Sequence, residues 1–220
     1  MSEMQLLKEL SARCGNDPSQ VQAAGGNTSL KQDGVMWIKA SGTWLADSLT
    51  SNNFVPLDFE TLSKALAADD PACEDCLAFV RSDLNSGGLR PSIETSVHAL
   101  MRQAVVVHVH CVDTIAWAIG ADAEQAVKVP LAGFSYAFIP YARPGRELAA
   151  AIASRTTPDT DVLILQNHGL VVAAATVTEA EALLIRVREA LRRTVRPLQQ
   201  ARLSELASEC EAHGYRVAAN

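Results

Sequence analysis

The sequence has no apolar run near the roughly 20 residues that a bilayer-spanning helix requires, so a helical membrane protein is not expected. It also lacks clusters of lysine or arginine outside one C-terminal helix. With a net charge of -6 and a pI near 5.4, it carries no electrostatic footprint for nucleic acid. The opening Met1-Ser2-Glu3-Met4-Gln5 has neither the basic segment nor the apolar core of a signal peptide, so a cytoplasmic protein is expected. Cysteine is scarce: five residues, odd in number and scattered, suit reduced thiols rather than a disulfide framework. Cys73 and Cys76 form a C-x-x-C, but no second pair completes a structural zinc site, and Pro71-Ala72 and Glu74-Asp75 around them read as the start of a helix. Histidine is equally sparse, and three of the five histidines end apolar, strand-like runs.

What is present is ordinary globular composition. At 220 residues, 48% apolar and 20% charged, the chain is expected to form one domain, residues 1–220, with a sizeable core. Val105-Val106-Val107-His108-Val109-His110 is β-branched and apolar enough to be a strand, and a period of two turns His108 and His110 to one face. Taken alone, such a pair is more often two ordinary residues than ligands. A third candidate, His168, follows a second apolar run, Asp161-Val162-Leu163-Ile164-Leu165, where Gly169 lets the backbone turn. Three imidazoles leave a coordination position open, as a catalytic metal requires.

The other segments supply loops and helices. Apolar spacing predicts helices over 3–14, from Asp58 to Ala68, from Cys73 to Leu84, from Asp113 to Ile119, from Arg146 to Arg155 and from Val177 onward. Pro197 is expected to kink or break the last of these, with a second helical stretch to Ala212 and a short tail beyond. Val35 to Lys39 and Phe54 to Leu57 read as strands, the second an edge strand because of Pro56, and Val129 to Ile139 reads as extended. The loop Ala23-Ala24-Gly25-Gly26-Asn27-Thr28-Ser29 and the turn Ala40-Ser41-Gly42-Thr43 offer neutral donors and close backbone approach, with Lys39 or Lys31 available to add charge to an anion site. Each turn alone is more often part of a purely structural hairpin. Pro91-Ser92-Ile93-Glu94 opens a helix to Met101, with Ser92 as N-cap and Glu94 in the first turn, where a carboxylate is also explained by the helix dipole. His98, four residues on, reads as a packed helix histidine outside any metal shell.

The order of these motifs, Gly26-Asn27-Thr28-Ser29, Ala40-Ser41-Gly42, Pro91-Ser92-Ile93-Glu94, His108-Val109-His110 and Asn167-His168-Gly169, resembles the class II aldolase and adducin family. That family includes fuculose-phosphate and rhamnulose-phosphate aldolases, ribulose-phosphate 4-epimerases and methylthioribulose-phosphate dehydratases. The resemblance covers nearly the whole chain. It implies an α/β fold of three layers, α/β/α, with a central, largely antiparallel sheet, assembled as a homotetramer with active sites at subunit boundaries. By position it implies zinc on His108, His110 and His168, with cobalt, manganese or iron as other ions three imidazoles accept. Glu94 takes the place of the catalytic acid/base. Asn27, Ser41, Gly42 and Ser92 match residues that hold a substrate phosphate, with Thr28 a neighbouring candidate.

The expected activity is aldol cleavage or formation in a small phosphorylated ketose or sugar acid through a metal-stabilised enediolate. 4-Epimerisation, dehydration and decarboxylation draw on the same residues, and a non-catalytic domain like the adducin head is the rival of a different class. The chain departs from the family after the His-x-His strand. Several aldolases place a tyrosine there, whereas this chain has Lys128-Val129-Pro130-Leu131 and no tyrosine before Tyr136. Tyr215, near the C-terminus where fuculose-phosphate aldolase keeps another functional tyrosine, is the remaining candidate for closing the site.

Overall fold

The computed structural model describes residues 1–194 and 203–215. Seven strands form one sheet in the order β3-β2-β1-β4-β7-β6-β5: β1 Asn27–Gln32, β2 Val35–Lys39, β3 Phe54–Asp58, β4 Val105–Val109, β5 Tyr136–Ile139, β6 Val162–Leu165 and β7 Gly169–Ala174. Every neighbouring pair is antiparallel except β5 with β6. β4 lies in the middle and is buried along its whole length, which accounts for a run of four valines with a single polar residue. The Pro56 strand, β3, is an edge of the sheet as expected.

Helices cover both faces. On one side, α1 (Glu3–Gly15), α4 (Val112–Ala118), the short α5 (Ala123–Ala126) and α7 (Val177–Ala190) pack Leu7, Leu10, Ala118, Ala123, Ala180, Leu184 and Val187 against Leu30, Val105, Val107, Val109, Leu170 and Val172. On the other, α6 (Arg146–Arg155) and α3 (Thr95–Leu100) pack against Val106, Leu163, Val171 and Ala173, while α2 (Phe59–Ala67) packs against Met36, Ile38, Val55 and Leu57. This is the three-layer α/β/α arrangement. Local signals set the helix ends: Ser2 Oγ accepts from the Gln5 N–H at 3.2 Å, and Thr176 with Glu179 forms a reciprocal capping box at the start of α7.

Three expectations need correction. Residues 73–84 do not form one helix; they form two 3-10 turns, Pro71–Glu74 and Leu77–Phe79, separated by Cys76 in the left-handed region at φ 57. The buried residues there, Cys73, Cys76 and Phe79, recur every three positions, which is the 3-10 period. From Val129 to Phe134 the chain turns, and only Tyr136–Ile139 is a strand; Leu131 is driven into the core while Val129 is left outside. Finally, Asn27, Thr28 and Ser29 begin β1, and the glycine loop stops at Gly26. A helix from Leu203 to Ala212 follows, α8, whereas Pro197 lies outside the described residues. No described helix is long and apolar enough to cross a membrane.

Candidate metal centre

The centre forms where β4 ends against the turn between β6 and β7. His108 points to the side of Val106, and His110 stands one residue beyond the strand. The register that sets Val109 opposite Leu170 brings the 166–168 turn alongside. That turn is tight: Asn167 adopts φ 55, and the His168 N–H donates to Leu165 O at 3.1 Å. The three rings lie with centroids 4.9 to 5.3 Å apart, and one ligand-type nitrogen from each falls within 4.8 Å of the others.

Two glycines make this approach possible. A Cβ at Gly25 would stand 2.9 Å from His110 Nδ1, and one at Gly169 would stand 2.5 Å from Val109 O and 3.3 Å from His108 Cε1. His108 Nδ1 donates to the Leu170 carbonyl at 3.0 Å, which leaves the Nε2 lone pair free for a metal. Burial pushes the His108 ring down to about 4 and lowers His110 as well, so both are neutral at physiological pH, the form that binds a cation.

Glu94, not Ser92, is the N-cap residue of α3, so the helix starts two residues later than expected, and the Glu94 side chain caps nothing. Instead it turns into the cluster, with Oε2 3.4 Å from His108 Nε2 and Oε1 3.1 Å from His168 Nε2. Neither approach has hydrogen-bond geometry at Oε1 or at His108 Nε2, and these two atoms with His110 Nε2 are buried and without hydrogen-bond partners. A carboxylate and imidazole nitrogens aimed at one another in this way fit a divalent cation, because the donor set is three neutral nitrogens with one anion beside them. Burial by itself would raise the Glu94 carboxyl; the neighbouring imidazoles and the Asn27 amide outweigh it and hold the group well below the usual carboxylate range.

The proposed anion-binding residues separate into two groups. Asn27 Nδ2 donates to Ser92 Oγ at 3.2 Å and to Glu94 Oε2 at 2.8 Å, so Asn27 and Ser92 stand beside the carboxylate. The Ser41-Gly42 turn runs against the segment leading into Ser92, since Ala40 bridges to Pro91 and the Ser41 N–H donates to Arg90 O at 2.9 Å. Thr28 is not brought there. Its side chain points through the sheet to the α1 side, where its hydroxyl lies 2.7 Å from Ser11 Oγ. Tyr215 follows α8, is 72% exposed, and has its N–H on Cys210 O; none of its described contacts reaches the histidines or Glu94.

Two residues outside the expected site set have defined places beside it. Lys39 is buried, and its Nζ donates to Ala24 O at 3.0 Å and Thr43 O at 2.6 Å, tying the two glycine turns together. It makes no ion pair among the described residues, and burial pushes it down to about 8. His98 is buried behind Asn27 and bonded to it. Its place four residues after Glu94 was the available signal.

Comparison with known proteins agrees with this geometry. The Class II Aldolase and Adducin N-terminal domain family matches residues 10–195. The chain is 30% identical over 169 residues to the uncharacterized oxidoreductase YuxG of Bacillus subtilis, a match covering 71% of this chain and 24% of that protein, so the chain spans about a quarter of this curated relative's length. Among solved structures, the N-terminal class II aldolase domain of a conserved protein from Thermoplasma acidophilum superposes with a TM-score of 0.71 at 24% identity, covering 86% of this chain and 92% of that one. L-Fuculose-1-phosphate aldolase from Thermus thermophilus superposes with a TM-score of 0.57 at 16% identity, covering 99% and 98%. With the fold, the motif order and the matched span in agreement, the chain belongs to the class II aldolase and adducin family.

Proposed function

We propose that the protein is a divalent-metal-dependent lyase that cleaves or forms a carbon–carbon bond in a small phosphorylated ketose or sugar acid. The observation that carries this reading is the convergence of His108, His110 and His168 on one point with the Glu94 carboxylate 3.1 and 3.4 Å from two of them. Zinc, or alternatively cobalt, manganese or iron, held by these imidazoles supplies Lewis acidity toward a carbonyl and its adjacent hydroxyl.

The chain's own residues do the rest. Glu94, ionised and poorly solvated, moves the proton at the carbon next to the carbonyl: it takes that proton in bond formation and delivers it in cleavage, when the electron pair of the breaking bond passes to that carbon. Ser92 beside Asn27, and the Lys39 ammonium held on the Ala24 and Thr43 carbonyls next to the Ser41-Gly42 turn, suit an anionic substituent. A buried cation bonded only to carbonyls is incompletely compensated, which favours a phosphate or carboxylate near it. L-Fuculose 1-phosphate aldolase, a protein of the same fold, is named for a phosphorylated substrate.

Epimerase, dehydratase and decarboxylase reactions begin from the same residues, and product analysis with phosphorylated ketoses and keto acids separates them. Aldol cleavage alone releases an aldehyde that a coupled dehydrogenase captures. Metal analysis separates an enzyme from an adducin-head-like scaffold: near one equivalent per chain is expected. Less than about one tenth of an equivalent, with no exchange of substrate protons, would contradict the proposal. We further read the chain as a cytoplasmic homo-oligomer, a tetramer by family analogy. Half-exposed Trp44, Ile93 and Val112, sequence neighbours of Gly42, Glu94 and His110, support association close to the site, and sedimentation measures it.

A further inference from the structure

One turn along α3 from Glu94, the His98 ring is completely buried and both its nitrogens are engaged. Nδ1 lies 2.7 Å from Ser29 Oγ, and Nε2 contacts Asn27 Oδ1. The other end of that amide, Asn27 Nδ2, reaches Glu94 Oε2 at 2.8 Å and Ser92 Oγ at 3.2 Å.

Only one arrangement of protons satisfies these contacts. An ionised carboxylate accepts and never donates, so Asn27 must show it the NH2 group. Asn27 Oδ1 then faces His98, and only a protonated Nε2 can donate to it. A neutral ring protonated at Nε2 carries a lone pair on Nδ1, so the Ser29 hydroxyl donates there. Burial pushes His98 down to about 3, which removes the doubly protonated ring from consideration at neutral pH. The donors therefore run in one direction, from Ser29 through His98 and Asn27 to Glu94, and bonds so aligned polarise one another. Reversing the Asn27 amide would set two acceptors, Asn27 Oδ1 and Glu94 Oε2, against each other.

Resting on the reading of Glu94 as the acid/base, we propose that His98 is a positioning residue: it locks the Asn27 amide so that its NH2 holds Glu94 Oε2, leaving Oε1 as the oxygen that moves the proton. A residue present only to fill space between β1 and α3 would need no such directed chain, since an aliphatic side chain fills that volume without buried polar atoms to match.

The test uses the metal-loaded protein and the loss of carbon-bound protons from dihydroxyacetone phosphate in D2O, followed by proton NMR, together with nitrogen-15 spectra of the histidine rings in metal-free protein. His98→Leu is expected to lower kcat by roughly 10- to 100-fold, the usual cost of losing a partner that orients an active-site group, with KM and bound metal near wild type. His98→Gln, which restores an N–H close to the Nε2 position, is expected to recover most of that loss. The spectra are expected to show His98 as a neutral ring protonated on Nε2. Should His98→Leu fail to fold, Ser29→Ala serves instead, with a smaller fall in kcat and mixed tautomers at His98. A folded, metal-replete His98→Leu with full kcat would overturn the proposal, as would a loss explained by missing metal, no recovery in His98→Gln, or a ring protonated on Nδ1. Absence of exchange by the wild type counts against the proposed activity instead, while the ring tautomer still decides the direction of the chain from Ser29 to Glu94.

Discussion

Two buried polar clusters lie side by side between the sheet and α3, and they are built on opposite rules. In the first, Ser29, His98 and Asn27 match every side-chain donor to an acceptor. In the second, Glu94 Oε1, His108 Nε2 and His110 Nε2 face one another with no hydrogen-bond partner. An unmatched buried polar atom costs roughly 1–3 kcal/mol, so three gathered in one place are a large concession. On the proposed reading, coordination of a divalent ion would offset that concession, and the matched cluster next to it would keep the carboxylate aligned. The fold thus leaves buried polar atoms unmatched at the candidate metal centre and completes its hydrogen bonds in the cluster beside it.

The contrast can be attacked at four points, in descending size. Glu94→Gln keeps the volume and the neighbours of the open cluster but removes its base; kcat is expected to fall by about 10²- to 10⁴-fold while bound metal stays at the wild-type level. Unchanged kcat on a confirmed substrate would remove Glu94 from its assigned role. Lys39→Leu removes the buried ammonium that joins the glycine turns, and inhibition by inorganic phosphate is expected to weaken about tenfold, the loss of one charge-assisted contact. The same ammonium loses its proton as pH rises through about 8, so wild-type affinity for phosphate should fall across that range and that of Lys39→Leu should not.

Acid acts on both clusters together. His108 and His98, pushed down by burial to about 4 and about 3, stay neutral in the folded protein where unfolded histidines near 6.5 take up protons. Below pH 6.5 the unfolded chain therefore binds more protons, and stability falls as pH falls, by up to about 1 kcal/mol per pH unit for each ring, levelling only below the folded values. Urea midpoints of the metal-free protein from pH 7 to about 4 measure this, and a flat series would contradict the burial of neutral rings. Smallest is Ser11→Ala, on the opposite face of β1, which leaves the Thr28 hydroxyl without its partner. It is expected to cost about 1 kcal/mol of stability with kcat and metal content untouched.

Thr28 also shows what the chain discloses and what it conceals. A period of two is informative only once the first residue of a strand is known. For β4 the valine run fixes it, so the shared face of His108 and His110 was legible, as was the turn carrying His168 from Asn167-His168-Gly169. For β1 the polar Asn27-Thr28-Ser29 gives no hydrophobic register, and it reads as loop. Pairing of Asn27 with His108 makes it a strand, which sends Asn27 and Ser29 to the site and Thr28 to the far side. The partners of His98 were hidden for the same reason, since they depend on that register. Spacing of Cys73, Cys76 and Phe79 by three passed for an α-helical stripe because 3-10 and α periods differ little over seven residues. That no described contact of Tyr215 reaches the histidines or Glu94 is a matter of tertiary placement that no local pattern encodes.

Cobalt(II) titration of the metal-free protein, followed by visible absorption, tests the central arrangement most directly. One equivalent should bind and develop the ligand-field bands of a nitrogen-rich, low-coordinate site, Glu94→Gln should titrate alike, and His108→Ala should lose the bands. Equal binding and an unchanged spectrum in His108→Ala, or no stoichiometric binding by the wild type, would contradict the convergence of His108, His110 and His168 on a single ion.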